Sequence, residues 1–231
     1  MKKDKNVMAK YKPIVMLDKR EPFEITAVGC TVFRETRRSS SFPKREIIIN
    51  KETTEYAIEY AIWYDYDIQH LYDLEHVWVY VNYDGSVGKV EASFHGKYLN
   101  MVDLKNGSPV LREGTHPVVY AQPGKHALVP EPGVIRLIPD WQESCMEKAG
   151  SDGVLVQNMF AAWIHTDEEL QKMTETYIKK RFGFRPSMEF EPFPVEDDKF
   201  MTWEELAETI PARVNRQIDI IKAFFINRGS R

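Results

Sequence analysis

Asp84-Gly85, set between two runs of alternating apolar residues, is the feature that most limits what this chain can become. A two-residue Asp-Gly loop fits the twist of an antiparallel hairpin, so residues 77–83 and 86–95 are expected to pair across it. Counting outward opposes Tyr83 to Ser86, Val81 to Gly88, Val79 to Val90, Val77 to Ala92 and Glu75 to Phe94. Val77, Val79, Val81, Val90, Ala92 and Phe94 then share one face. Side chains alternate with period two, so Asp73 and Glu75 extend that core-facing row rather than the wet one. A bulge near the turn would exchange the faces.

Two carboxylates at the edge of a core lose hydration, which costs free energy unless a cation, hydrogen-bond donors or water compensate. A divalent cation is one solution, with His70, Asp73 and Glu75 at the strand's mouth as candidate ligands. The alternative is a strand that starts at Leu74 or Glu75, with Asp73 in a solvated loop and Glu75 paired to a lysine. Oxygen donors, here Asp73 with Asp67 or Asp65, suit Ca²⁺ or Mg²⁺. A directly bound His70 would turn the choice toward Mn²⁺, Fe²⁺ or Zn²⁺.

The spacing His-x-x-Asp-x-Glu at His70, Asp73 and Glu75 resembles the heptapeptide Gly-His-Arg-His-Asp-Trp-Glu of the necrosis-inducing, cytolytic NPP1-like proteins. Residues 60–67 are similar to the strand that supplies that family's other metal-binding aspartate. Ser93-Phe94-His95-Gly96 is similar to its Ser-x-His-Gly segment, and residues 116–120 with 124–128 to its following strand pair. The vacuolar protein sorting-associated protein 62 family shares an Asp-Trp-Glu-His and a Pro-Val-Tyr-Ala pattern, matched here around Glu75-His76 and from Pro117 to Ala121. Leu74 stands where both families carry Trp, Leu71-Tyr72 replaces Arg-His, and Gln69 replaces the leading Gly. The resemblance implies aspartates bound directly to the metal, with His70 and Glu75 holding metal waters and His126 bordering the site through its backbone carbonyl. It also implies a surface glycan or glycolipid as the target, and a secreted protein.

With 231 residues, 43% of them hydrophobic, the chain can bury a sizeable core as one domain. A net charge of -4 with scattered basic residues gives no electrostatic footprint for nucleic acid. No stretch is long and apolar enough for a membrane span, and no apolar segment follows Met1-Lys2-Lys3-Asp4-Lys5. As it stands the chain reads as cytoplasmic, or as secreted if a signal peptide has been lost. Cys30 and Cys145 are read as two free, buried thiols, with one disulfide between them as the alternative.

The expected fold is mainly β: a single-domain antiparallel β-sandwich over residues 13–231, behind a flexible start at 1–12, with helices at about 166–181 and 203–227. Residues 22–33, 46–50 and 55–66 read as strands, with the Ser-rich stretch around Arg37-Arg38 as a solvated hairpin tip. Thr166 and Thr202 each open a capping box, and Pro211 is expected to interrupt the last helical pattern, whose stripe is Val214, Ile218, Ile221 and Phe225. Tyr56, Tyr60, Trp63, Tyr64 and Tyr66 suit a core, with a sugar-stacking platform as the alternative. The Pro- and Gly-rich connection 130–153 reads either as a lid over a site or as packing, with Trp141 plugging the sandwich.

These residues favour binding over turnover, with a divalent cation at the site; the resemblance implies a glycan or glycolipid as the ligand. The rival is a metal-dependent hydrolase with Glu75 as general base. His76 opposite Ser93, with His95 one pair further on, invites a serine nucleophile, but neither a nucleophile elbow nor an orienting carboxylate accompanies them.

Overall fold

A computed structural model describes residues 2–156 and 158–229. The strands are β1 Ile14–Asp18, β2 Ile25–Phe33, β3 Arg37–Arg38, β4 Glu46–Ile47, β5 Thr54–Tyr66, β6 Leu71–Asn82, β7 Val87–Phe94 and β8 Lys97–Asn100. They continue with β9 Leu111–Arg112, β10 His116–Ala121, β11 Leu128–Val129, β12 Phe190–Pro192 and β13 Phe200–Thr202. The α-helices are α1 Lys2–Lys10, α2 Pro132–Ile135, α3 Glu168–Phe182 and α4 Trp203–Gly229. Strand (33%) exceeds helix (26%), so the chain is β-rich with a helical C-terminus.

Strands β13-β2-β5-β6-β7-β8 form the larger sheet, and β11-β10-β1-β12 with β9 beside β10 the smaller one. The sheets are mixed rather than antiparallel throughout, because β1 pairs parallel with β10 and β2 parallel with β13. Each parallel pair joins segments far apart in sequence, which hairpin patterns do not reveal.

The expected hairpin forms, with a different turn. Asn82 N–H donates to Ser86 O at 2.9 Å across a three-residue loop whose last residue, Gly85, has φ +80°. This geometry places Val81 opposite Val87 instead of Gly88. A compensating bulge follows at Gly88, where a Cβ would collide with the Asn82 side chain, so the expected partners Val79–Val90 and Val77–Ala92 are restored. Val77, Val79, Val81, Val90 and Ala92 are all fully buried, and Asp73 and Glu75 continue their row. Every residue of β6 before Asn82 is buried, on both faces.

The row's inner face belongs to an apolar cluster that includes Val15 and Leu17 of β1 and Val119 and Ala121 of β10. The other face carries a second, smaller cluster of Phe33, Ala57, Trp78 and Tyr80, covered by Ile47 and Ile49 of the β3–β4 excursion. Residues 46–50 therefore contribute only a two-residue strand of a flap, and Arg37-Arg38 is paired in it rather than forming its tip.

Residues 2–10, read as a flexible start, form a helix. Val7 and Met8 pack on the core, and Tyr60 donates its hydroxyl to Met8 O at 2.8 Å. Helix α3 opens one residue later than expected, because the Asp167 carboxylate accepts Leu170 N–H at 2.7 Å. Helix α4 starts with the expected reciprocal box, Thr202 N–H to Glu205 Oε2 at 2.8 Å and Glu205 N–H to Thr202 Oγ1 at 3.2 Å. It runs unbroken through Pro211. The bond that Pro211 removes is outweighed by the buried stripe Leu206, Ile210, Val214, Ile218 and Ile221, which holds both halves against the sheet. No helix among the described residues is long and apolar enough to cross a membrane. Both cysteines are free and buried.

Candidate metal centre

The turn from β5 to β6 carries Asp67 and His70 and is held from two sides. Within it, Asp67 N–H donates to His70 O at 2.9 Å, while Asp67 Oδ1 accepts Gln69 N–H at 2.6 Å. On one side, Ile68 N–H reaches Gly124 O at 2.7 Å in the loop between β10 and β11. Gly124 sits at φ +68°, and a Cβ there would lie 2.7 Å from Ile68 Cβ, so only glycine permits this approach. On the other side, Gly150 N–H and Asp152 N–H donate to Ile68 O and Gln69 O, and Leu71 N–H donates to Gly153 O. The connection 130–153 thus straps the turn, while Trp141 is only partly buried.

Within this frame one ligand atom each from Asp67, Asp73 and His126 lie within 4.8 Å of one another. Asp73 is on β6 directly opposite Tyr64 of β5. The His126 ring lies flat on Tyr64, centroids 3.7 Å apart and planes 3° from parallel, with Phe23 edge-on at 5.7 Å. Its Nδ1 is 3.2 Å from Asp73 Oδ2, and its Nε2 is 3.7 Å from Glu21 Oε1. Asp73 Oδ1 accepts Leu74 N–H at 2.8 Å, and Glu21 Oε2 accepts Gly124 N–H at 2.7 Å. Lys125 Nζ reaches Asp67 Oδ1 at 2.8 Å.

The charges of this pocket are strongly coupled. Burial pushes the Glu75 carboxyl well above the usual range, and the neighbouring Asp73 charge adds to it. Burial also opposes ionisation of Asp67, yet His70, Lys125 and His126 prevail and hold it below its ordinary value. The same contest raises His126 to about 10: burial disfavours its charge, but Asp73 and Glu21 outweigh it. A concentration of carboxylates that draws protons this strongly is equally suited to a metal ion. The donor set is two carboxylates and an imidazole, with His126 Nε2, Glu21 Oε1 and the Tyr64 hydroxyl buried beside it without a hydrogen-bond partner among the described residues. Such a set fits a divalent ion.

Other sequence candidates fall at the rim or elsewhere. His70 is at the rim, its Nε2 3.8 Å from Asp67 Oδ1. Glu75 lies next along the row, accepting from the Ser93 hydroxyl. Asp65 is turned away: its Oδ1 accepts from Trp63 Nε1 at 2.9 Å and Thr26 Oγ1 at 3.4 Å, and its Oδ2 from Gln217 Nε2 at 3.0 Å. Neighbouring residues on a strand face opposite ways, so Asp65 parts from Tyr64 and leaves Asp67, beyond the strand's end, to join Asp73.

No serine–histidine pair forms from Ser93 and His76. Ser93 Oγ accepts the backbone N–H of His76 at 2.6 Å, whereas the imidazole Nε2 meets Ser41 Oγ at 3.0 Å on the other face. His95 pairs with Gln122 at 2.8 Å. Tyr56, Tyr60, Trp63, Tyr64 and Tyr66 are all buried and offer no platform for a sugar ring. A cavity of about 580 Å³ between α1, β2 and the start of α4 includes none of these residues and is lined by others such as Met8, Cys30, Val32 and Phe200.

Glu21 and Lys125 join the centre without having been singled out by ligand spacing. Glu21 sits in the charged stretch Asp18-Lys19-Arg20-Glu21, which reads as solvated loop, and no local pattern marks it as buried. Searched against protein-family models, curated proteins and solved structures, the chain matches none of them.

Proposed function

We propose that the protein binds one divalent cation at Asp67 and Asp73, with His70 and Glu75 at its margin, and uses the site to bind a ligand rather than to turn one over. The observation that carries this reading is the convergence of Asp67, Asp73 and His126 within 4.8 Å in a buried pocket. Carboxylates placed so draw cations: without an ion, Lys125 meets Asp67 and the His126 imidazole, its pKa raised to about 10, meets Asp73, and a divalent ion would take the place of the His126 proton. In this reading the chain is a single-domain two-sheet β-sandwich, and the site opens at its end near the turn 67–71. The resemblance to NPP1-like proteins, whose pattern shares His70, Asp73 and Glu75, makes a surface glycan or glycolipid the ligand class.

A metal-dependent hydrolase is the second reading. It draws on Glu75, whose carboxyl is pushed upward by burial and the Asp73 charge, the direction in which general bases are tuned. Against it, the Glu75 carboxylate is engaged by Ser93 and buried.

Titration calorimetry with Ca²⁺, Mg²⁺ and Mn²⁺ tests the site. Wild type is expected to bind, and Asp73→Asn to lose most of the heat. Equal heats in both proteins, or none in either, contradict the assignment. A glycan array with and without EDTA then tests the ligand class through metal-dependent retention. Ester or phosphate turnover that disappears in Glu75→Gln would move the assignment to the second reading.

A further inference from the structure

We infer that His126 ligates the metal directly through Nδ1, positioned by Glu21, so that the site prefers ions that accept nitrogen, such as Mn²⁺, Fe²⁺ or Zn²⁺, over Ca²⁺ and Mg²⁺. This deepens the metal reading above and rests on it.

The first support is spacing. Two donors each about 2.1 Å from a common ion, and about a right angle apart, lie about 3 Å from each other. His126 Nδ1 and Asp73 Oδ2 are 3.2 Å apart, a hydrogen bond without an ion, and an ion bound to both takes the place of the Nδ1 proton, which is released to solvent. Lys125 and Gln69 both engage Asp67 through Oδ1, which leaves Oδ2 as the third donor.

The second support is how firmly the ring is held. His126 has φ +55°, a left-handed conformation uncommon for a residue with a side chain. The loop adopts it with His126 N–H donating to Gln122 O at 2.9 Å, and the result is an imidazole driven into the core instead of out to solvent. Stacking on Tyr64 at 3.7 Å and the Phe23 edge fix the plane of the ring, so the direction of Nδ1 is set before any ion arrives.

The third support is the far side of the ring. Histidines that ligate metals commonly donate their other N–H to a carboxylate, which selects the tautomer and strengthens the donor nitrogen. Glu21 Oε1 stands 3.7 Å from Nε2, and neither atom has another hydrogen-bond partner among the described residues. Its second oxygen is pinned by Gly124 N–H, two residues before His126, so the carboxylate and the imidazole belong to one preset unit. Glu21 is thus a positioning residue, and two carboxylates with one imidazole form the donor set of a borderline ion.

Pulsed electron paramagnetic resonance on the Mn²⁺-loaded protein reads this directly. Wild type is expected to show hyperfine coupling to a bound imidazole nitrogen, and His126→Gln to lose it. By calorimetry, Zn²⁺ should bind at least about tenfold tighter than Ca²⁺, and Glu21→Ala should weaken Zn²⁺ about 10- to 100-fold, with partial recovery in Glu21→Asp. Mn²⁺ bound without nitrogen coupling, or Ca²⁺ bound as tightly as Zn²⁺, overturns the His126 assignment while leaving the metal reading intact. If no divalent ion binds, the metal reading falls and this inference falls with it. Should the variants fail to fold, the wild-type spectrum alone decides.

Discussion

Glu91→Ala is expected to destabilise the protein by about 3 to 5 kcal/mol, because it strands a buried guanidinium. The Arg45 and Glu91 side chains are only 4% and 6% exposed and form an ion pair. Arg45 Nη2 also donates to the Tyr80 hydroxyl at 3.2 Å, and the guanidinium is sandwiched between Trp78 and Tyr98 at 3.7 and 3.8 Å. Its Nε and Nη1 already have no hydrogen-bond partner among the described residues, so without Glu91 no carboxylate is hydrogen-bonded to it. Lys89, the carboxylate's other partner, is half exposed and returns to water at little cost. Removing both charges is a different matter. Arg45→Met with Glu91→Leu should lose far less than Glu91→Ala alone, since the aromatic faces of Trp78 and Tyr98 accept an apolar chain and no charge is left buried. Urea denaturation of the three variants checks this. A Glu91→Ala loss below about 1 kcal/mol, the ordinary worth of an exposed pair, would show that the guanidinium reaches solvent.

Acid is expected to weaken the same face through His76. Burial lowers its pKa from the ordinary 6.5 to about 3, and the Arg45 charge works in the same direction. The unfolded chain therefore binds a proton in the window between pH 6.5 and 3 that the folded chain refuses. Stability from His76 is complete above pH 6.5 and is lost progressively as pH falls toward 3. At pH 4.5 the loss amounts to about 2.7 kcal/mol, two pH units at about 1.36 kcal/mol each. Glu59 acts with the opposite sign, because burial raises its pKa and its protonated form favours the fold below the ordinary 4.5. The comparison is therefore made against His76→Gln, which retains Glu59. Denaturant midpoints at pH 7.5 and 4.5 should fall more in wild type than in His76→Gln by this amount. Parallel behaviour of the two proteins would mean that the imidazole titrates freely.

Much of the centre was legible from one strand. Register counted from Asp84-Gly85 places Asp73 and Glu75 on the buried row of β6, and the pairing of Val77 with Ala92 agrees although the turn has three residues. Two deviations cancel, the longer loop and the bulge at Gly88, and neither alone could be read from residue types. The choice between Asp65 and Asp67 stayed open in the sequence because it depends on where β5 ends. The structure brings Asp67, not Asp65, beside Asp73: Asp65 is still within the strand and faces Gln217 of α4, while Asp67 follows the strand's end.

What lay beyond the sequence came from distant segments. Glu21 and His126 are a hundred residues apart and meet only because the loop after β1 lies against the loop between β10 and β11. Periodicity speaks to one element at a time and carries no such information. The parallel pairs β1–β10 and β2–β13 escaped for the same reason. The flap was missed differently: residues 46–50 do have strand composition, but Ile47 and Ile49 bury it against Trp78 and Tyr80 as a cover rather than as a member of the large sheet.

Anomalous diffraction from crystals grown with Mn²⁺ tests the central claim most directly. The account predicts a single strong peak between Asp67 and Asp73, about 2.0 to 2.3 Å from a carboxylate oxygen of each and from His126 Nδ1. Clear density for those side chains in the arrangement described, with no anomalous peak among them at saturating Mn²⁺, would contradict it.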